Sequence, residues 1–450
     1  LKISLPSVPG ATAASHHAAF LILTLIAILV HFAGLSHPGQ VVFDEYHFGK
    51  FVNAYCCTRQ MIFDIHPPHP KLIMSLFATL GGYTGNLGFT TIGESLSGGP
   101  VAALRLWPAL TGTMIPLVGF LLLRRWRVPV AWAFAGGLAL ALDNALLIQT
   151  RIMALDGQLI LGSMLALWLC EILLEERSTA QRLGLCLGIG AAVALSVSAK
   201  FTGLAIIPVI MARLAWHLFD AGMKPSGFLE PVAGFIMALA GFTVVYLIGW
   251  KAHFFLLNQP GPGDAFYKVT GNFFQDLFQL HKVMLAANNG ITASHPWASP
   301  WWGWPTMKKP IYYWVSGDSV IYFAGNPFVW WGLQGSGLLL LVRFAWSAAT
   351  DRSRHDSLSI GIVLVLFLAW VASYLPYSLV SRGLFLYHYL PPLTWSVLLS
   401  IFLWSRLAGR GGFKPRHLMA LIVTGFVVAA PVTFGYATLK ELPVRLMQLR

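Results

Sequence analysis

Long apolar runs, each close to the length of a bilayer crossing, alternate with short polar turns along most of the chain. A helix that crosses the hydrocarbon core needs about 20 mostly apolar residues. The pattern therefore predicts eleven spans, near 17–35, 101–123, 129–147, 157–174, 183–199, 201–218, 229–250, 327–345, 358–378, 384–404 and 417–437. No cleavage-site pattern accompanies residues 17–35, so they read as a first membrane helix and not as a signal peptide. The stretch KLIMSLFATLGGY at 71–83 is apolar but too short to cross, and reads as a helix lying along the surface. The fold class is all-α and polytopic. It forms one integral-membrane unit over 1–450, with two long loops at 36–100 and 251–326.

Composition removes the water-soluble alternative. Charged residues make up 10% of the chain and hydrophobic ones 56%, whereas a soluble domain is about a quarter charged. The net charge of +13 invites a nucleic-acid reading, but no basic-aromatic stripe or nucleic-acid motif supports it. The basic residues instead orient the spans. With a cytoplasmic N-terminus, the inside loops at 124–127, 175–182, 213–228, 343–357 and 405–416 hold 14 Lys/Arg in about 56 residues. The outside segments hold 11 in about 160, the asymmetry expected of cytoplasmic loops. Counting 71–83 as a span would put Arg124, Arg125 and Arg127 outside, a worse fit. No inside loop exceeds about 16 residues, which leaves no room for a cytoplasmic nucleotide-binding domain. Both long loops, and with them any chemistry, fall on the extracytoplasmic side. The four cysteines, with Cys56 and Cys57 adjacent, make no disulfide framework and no paired zinc spacing.

Rare charges recur at the outer span ends. Asp44 and Glu45 follow the first span, Arg151 and Asp156 lie between the third and fourth, and Lys200 lies between the fifth and sixth. Arg382 and His388 sit around the start of the tenth. Ionisable groups at membrane depth are costly and are usually functional. Carboxylates there suit a general base or a cation site. Lys and Arg at the same level suit a departing phosphate, which needs positive charge as its bond breaks. A base and a phosphate clamp outside, without a nucleotide domain inside, point to group transfer from a lipid-phosphate-linked donor.

In the first loop, FxxxHFGKFVxAY has helical apolar spacing with Asp44 and Glu45 at its N-terminal end, where acids suit the helix dipole. HPPHPK is too proline-rich to continue a helix; a structural role for its His66 and His69 is favoured over metal ligation. In the second loop, SHPWASPWWGWPTMKKPIYYW carries five Trp and two Tyr. That density suits an interfacial aromatic belt, a platform for a sugar or acceptor, or both.

FDEYHFGKF, FDIHPPHPKLI, ALDNALLIQTRIMALD, SHPWASPWWGWP, GNPFVWW and RGLFLYHYLPP, in this order from about 43 to 392, resemble the protein O-mannosyltransferase family. The resemblance implies a GT-C glycosyltransferase fold and a polyprenyl- or dolichyl-phosphate-mannose donor. It also implies transfer to Ser/Thr hydroxyls of secreted or membrane proteins. Asp44 then becomes the base and Glu45 its partner in the acid pair. Arg151 and Asp156 match the family's pair in the third-to-fourth turn, and Lys200, Arg382 and His388 match outer-face positions assigned here to the donor phosphate. His66, His295, Trp301 and Trp302 are the candidate acceptor or sugar platform. No metal site is assigned; Asp44 and Glu45 invite a divalent ion, but no third carboxylate is evident and metal-independent chemistry is favoured.

Two features depart from the family pattern. The loop of about 76 residues between spans seven and eight is too short for the β-trefoil MIR domain of eukaryotic members. That favours a bacterial plasma membrane over an endoplasmic-reticulum location. His69-Pro70 stands where the family has Leu-Gly or Leu-Ala, beside the acceptor side of the loop. Eukaryotic members pair, which makes a dimer the candidate assembly. The rivals are transfer of another lipid-linked sugar, or transfer to a lipid or polysaccharide, and a transporter. Against the transporter stand the absence of an inverted repeat and the clustering of charge at one face.

Overall fold

A computed structural model of the chain describes residues 13–220, 229–290, 295–351, 355–407 and 413–436. The first half folds into α1 (Ala13–Phe32), α2 (Glu45–Asn53), α3 (His69–Leu80), α4 (Val101–Leu104) and α5 (Leu106–Arg125). These are followed by α6 (Val130–Ala141), α7 (Asn144–Gln149), α8 (Asp156–Leu173) and α9 (Thr179–Val197). Then come α10 (Ile206–Asp220), α11 (Leu229–Leu256) and α12 (Phe273–Gly290). The hairpin β1 (Ile311–Ser316) and β2 (Ser319–Phe323) precedes α13 (Gln334–Thr350), α14 (Ser357–Tyr374), α15 (Leu390–Leu407) and α16 (Pro415–Phe434).

Among the described residues, ten helical segments are long and apolar enough to cross a membrane. They coincide with ten of the eleven expected spans. The exception is 129–147. Its first helix, α6, has 12 residues, about 18 Å, short of a hydrocarbon core of about 30 Å. The chain breaks at Leu142, and Asp143 caps α7 by accepting the Leu146 N–H. Its other oxygen accepts the Asn326 N–H at 3.0 Å and the Trp330 indole N–H at 2.8 Å. The break therefore fastens the end of the second loop to the bundle. Asp143→Ala leaves three buried donors without an acceptor, each costing about 1–3 kcal/mol. The expected outcome is a loss of several kcal/mol, read as a marked fall in the melting temperature of detergent-purified protein.

Small residues set the closest helix contacts. A Cβ on Gly190 of α9 would run into the Ala238 backbone of α11, and one on Gly241 into the Leu187 carbonyl. Packing this tight is how helices associate where lipid replaces water and burial supplies no drive.

The first loop matches its pattern: α2 begins at Glu45 with Asp44 at the N-cap, and α3 is a 12-residue helix too short to cross. The second loop adds an element the all-α reading lacks. IYYWVSGDSVIYF pairs as an antiparallel hairpin with a bulge between Tyr312 and Trp314. Cys56 and Cys57 are joined as a disulfide in the turn Ala54–Thr58, so one pair departs from the reading that the cysteines make none.

Candidate active site

The rim charges differ in how far their polar atoms are engaged by partners among the described residues. Glu45 is engaged at both oxygens. It is fully buried, and its oxygens take the Arg105 Nε at 2.7 Å and Nη2 at 2.9 Å. The Val42 and Met153 backbone N–H groups donate to it as well, at 2.9 and 3.1 Å. Arg105 continues to the carbonyls of Leu35, Pro38 and Gln40. Glu45 therefore holds the loop after α1 against the turn before α8. With four donors on its two oxygens, Glu45 has no lone pair left for a reacting group.

Arg151 is likewise engaged by the backbone. Its guanidinium donates to the carbonyls of Val30, His31, Ala33 and Gly34 at 2.7–3.1 Å and lies over the Phe434 ring. The last carbonyls of a helix carry partial negative charge and have no intrahelical partner. Arg151 satisfies them at the end of α1 with both of its terminal nitrogens. Burial and the neighbouring Arg105 bring its pKa down to about 10, so it stays cationic at neutral pH.

Asp44 is less engaged. Phe43 before it has φ 41°, a left-handed conformation uncommon for a bulky side chain. It is held there by its N–H to the Tyr313 carbonyl at 2.9 Å and by a ring stack on Tyr313 at 4.0 Å. The turn thus aims Asp44 inward, and its carboxylate makes no cap hydrogen bond to α2. Burial raises its pKa to about 7; Lys200 pulls it down, and Asp156 and Asp64 push it up. A carboxylate that titrates near neutrality is poised to take a proton.

Opposite lie the cations. Lys200, in the turn after α9, donates to Asp156 at 2.6 Å and sits 5.1 Å from the Tyr387 ring centre. Arg382 makes no hydrogen bond among the described residues, and its Nε is buried without a partner. An orphaned guanidinium N–H in a low-dielectric setting is costly, and a phosphate oxygen would satisfy it. His388 is buried between Trp304 and Tyr387, with Nδ1 3.0 Å from the Phe385 carbonyl.

The first loop sends in three more groups. Lys71 pairs with Asp64 at 2.5 Å and donates to the His66 carbonyl at 2.9 Å. Lys71 holds the Asp64 carboxyl below its usual range despite burial. Burial, with Lys200, Lys71 and Arg382 adding to it, lowers the His66 pKa to about 3, so the ring is neutral. His69 instead approaches Gln158 at 3.3 Å. Of the expected platform, Trp302 is 56% exposed with Lys308 over its ring. Trp301 packs on Tyr374, and His295 packs its ring against Phe385. Sequence reasoning missed Arg105, which lies inside an expected span, and Asp64 and Lys71, which flank the HPPHP string that drew attention.

The model of the dolichyl-phosphate-mannose-protein mannosyltransferase family matches residues 21–258, more than half of the chain. The chain belongs to that family. The model of the C-terminal four-helix region of protein O-mannosyltransferases follows over 273–449. Among curated relatives, dolichyl-phosphate-mannose–protein mannosyltransferase 4 of Candida albicans is 31% identical over 293 residues, covering 62% of this chain and 38% of that protein. The chain spans about a third of the length of the curated relatives it matches. The Saccharomyces cerevisiae protein O-mannosyltransferase Pmt1–Pmt2 complex bound to the sugar donor superposes with a TM-score of 0.89. The match has 16% identity and covers 99% of this chain and 93% of that one. ArnT from Cupriavidus metallidurans bound to undecaprenyl phosphate gives 0.52 at 16% identity, over 94% and 66%. The fold is that of the GT-C glycosyltransferases. Like other members of the family, the chain is an integral, multi-pass membrane protein, and Asp44, Lys200 and Arg382 share one rim of the bundle.

Proposed function

We propose that this chain transfers mannose from a polyprenyl-phosphate donor to Ser or Thr hydroxyls of proteins on the extracytoplasmic side, with inversion at the anomeric carbon. The observation that carries the reading is the Asp44 carboxylate, which titrates near 7 and has no hydrogen bond among the described residues, in the field of Lys200 and on the same rim as Arg382, whose Nε has no partner among them. Asp44 takes the hydroxyl proton as the oxygen attacks the anomeric carbon. The bond from that carbon to the phosphate oxygen breaks, and the lipid phosphate leaves with its charge stabilised by Arg382 and Lys200. These cations supply the positive charge, so the scheme is written without a metal ion. The short second loop supports a bacterial plasma membrane, and the Pmt1–Pmt2 pairing supports a paired assembly.

The test is mass spectrometry of a Ser/Thr peptide incubated with membranes and polyprenyl-phosphate mannose. The expected product is the peptide plus one hexose. An unmodified peptide beside a glycosylated lipid would move the assignment to another acceptor. Arg382→Ala is expected to weaken donor handling at least tenfold in KM for the donor, since one charge-assisted contact contributes about 1.5–3 kcal/mol. An unchanged donor KM would remove Arg382 from the phosphate site.

A further inference from the structure

Tyr313 is fully buried in β1, more than 110 residues in sequence from Asp44, Gln149, Asp156 and Lys200, yet it touches both halves of the site. Its ring stacks on Phe43 at 4.0 Å and its carbonyl accepts the Phe43 N–H, which places the turn carrying Asp44. Its hydroxyl donates to Gln149 Oε1 at 2.6 Å. The Gln149 amide donates to Asp156 Oδ2 at 2.7 Å, and Asp156 Oδ1 accepts Lys200 at 2.6 Å. Taken with the function proposed above, on which this rests, we propose that Tyr313 is a positioning residue that fixes Lys200 relative to Asp44 by anchoring the Gln149 amide that holds Asp156.

The argument is one of donors and acceptors. Gln149 has one carbonyl oxygen and one NH2 group, and Asp156 as an anion accepts only. If the amide turned over, its oxygen would face the Asp156 carboxylate and repel it. Asp156 therefore sets the orientation of the amide, and the Tyr313 hydroxyl, donating to the amide oxygen that this orientation leaves facing it, anchors the amide in place. All four groups are buried, so losing the anchoring hydrogen bond leaves the amide oxygen unpaired in a low dielectric, at high cost. The hairpin of the second loop therefore carries the reference point for two residues from the first half of the chain.

The test uses the full chain reconstituted in lipid, with Tyr313→Phe, Gln149→Met, their combination, and Tyr312→Phe as a control on the other face of the strand. Tyr313→Phe keeps the stack and the backbone contact and removes only the hydroxyl. The expected result is a fall in kcat of about tenfold with the acceptor KM unchanged. The acid limb of kcat/KM should also move to higher pH by about half a unit, because Lys200 no longer holds the Asp44 carboxylate down against Asp156 and Asp64. The combined variant should be no worse than Gln149→Met alone, since one path links the two. Independently of activity, Lys200 acylation by an amine-reactive ester, mapped by mass spectrometry, should rise at least threefold in Tyr313→Phe and not in Tyr312→Phe. Wild-type acylation in Tyr313→Phe, or additive losses in the combined variant, overturns the proposal. A wild-type protein that transfers nothing from polyprenyl-phosphate mannose overturns the proposed function instead, and the acylation result still decides the role of Tyr313.

Discussion

Replacing Asp44 by Asn is expected to lower kcat/KM by about 10²–10⁴ while making the protein more stable at neutral pH. The two effects share one cause. The Asp44 carboxyl has a pKa near 7 against an ordinary value of 3.8, chiefly because it is buried. The folded protein therefore binds this proton more tightly than the unfolded chain does. The resulting contribution is fully present below about pH 4 and is lost as pH rises to 7, beyond which the whole penalty is carried. Asn carries no charge and removes the penalty. Allowing for the partial exposure of Asp44, the gain at pH 8 is on the order of 1–2 kcal/mol. It is measured as a higher melting temperature that vanishes when the comparison is made near pH 4. In the active protein the same group gives kcat/KM an acid limb near pH 7. Lys200→Met should move that limb upward, since Lys200 favours the ionised form. A destabilised Asp44→Asn variant, or an acid limb near 4, would show that the carboxylate is not held as described.

Breaking the Glu45–Arg105 pair from one side should be among the most damaging single changes available. Arg105→Leu leaves a fully buried carboxylate with two backbone donors, and frees the carbonyls of Leu35, Pro38 and Gln40. Stripping one partner from a buried ion pair costs about 3–5 kcal/mol, a large part of the stability of an ordinary fold. The expected outcome is little or no monodisperse protein by size-exclusion chromatography after extraction. Glu45→Leu should behave similarly. The double replacement should fall short of the summed losses by at least 1 kcal/mol, because neither charge is then orphaned. Two single variants with near-wild-type melting temperatures would show that the pair is not the strut described here.

Chain pattern and structure agree most closely where one physical rule decides. Apolar length picks out ten spans because lipid leaves the backbone no other way to satisfy its hydrogen bonds. The same rule runs past Asp143, although an acid followed by Asn inside an apolar run is an N-cap signal. IYYWVSGDSVIYF likewise carries the residues of a hairpin turn, but its aromatic density draws attention away from its alternation. At the site, the rim charges stand out because they are rare, while their division of labour does not. Arg151 and Arg382, or Asp44 and Glu45, are equivalent as letters. Arg151 is occupied by the end of α1 and Glu45 by Arg105, partners 60 to 121 residues away. No local spacing reports such contacts.

The Arg151 clamp also bears on how the protein meets membranes of different thickness. α1 is one of the less buried long helices, and its exit is fastened through four carbonyls to the segment that leads into Asp156. A helix mismatched to its bilayer can slide, tilt or thin the lipid around it. Sliding is closed to α1, because it would drag the clamp and the reactive rim along. Tilting of the bundle and thinning of the lipid remain, so the height of the rim relative to α1 is set by the protein and the bilayer adapts around it.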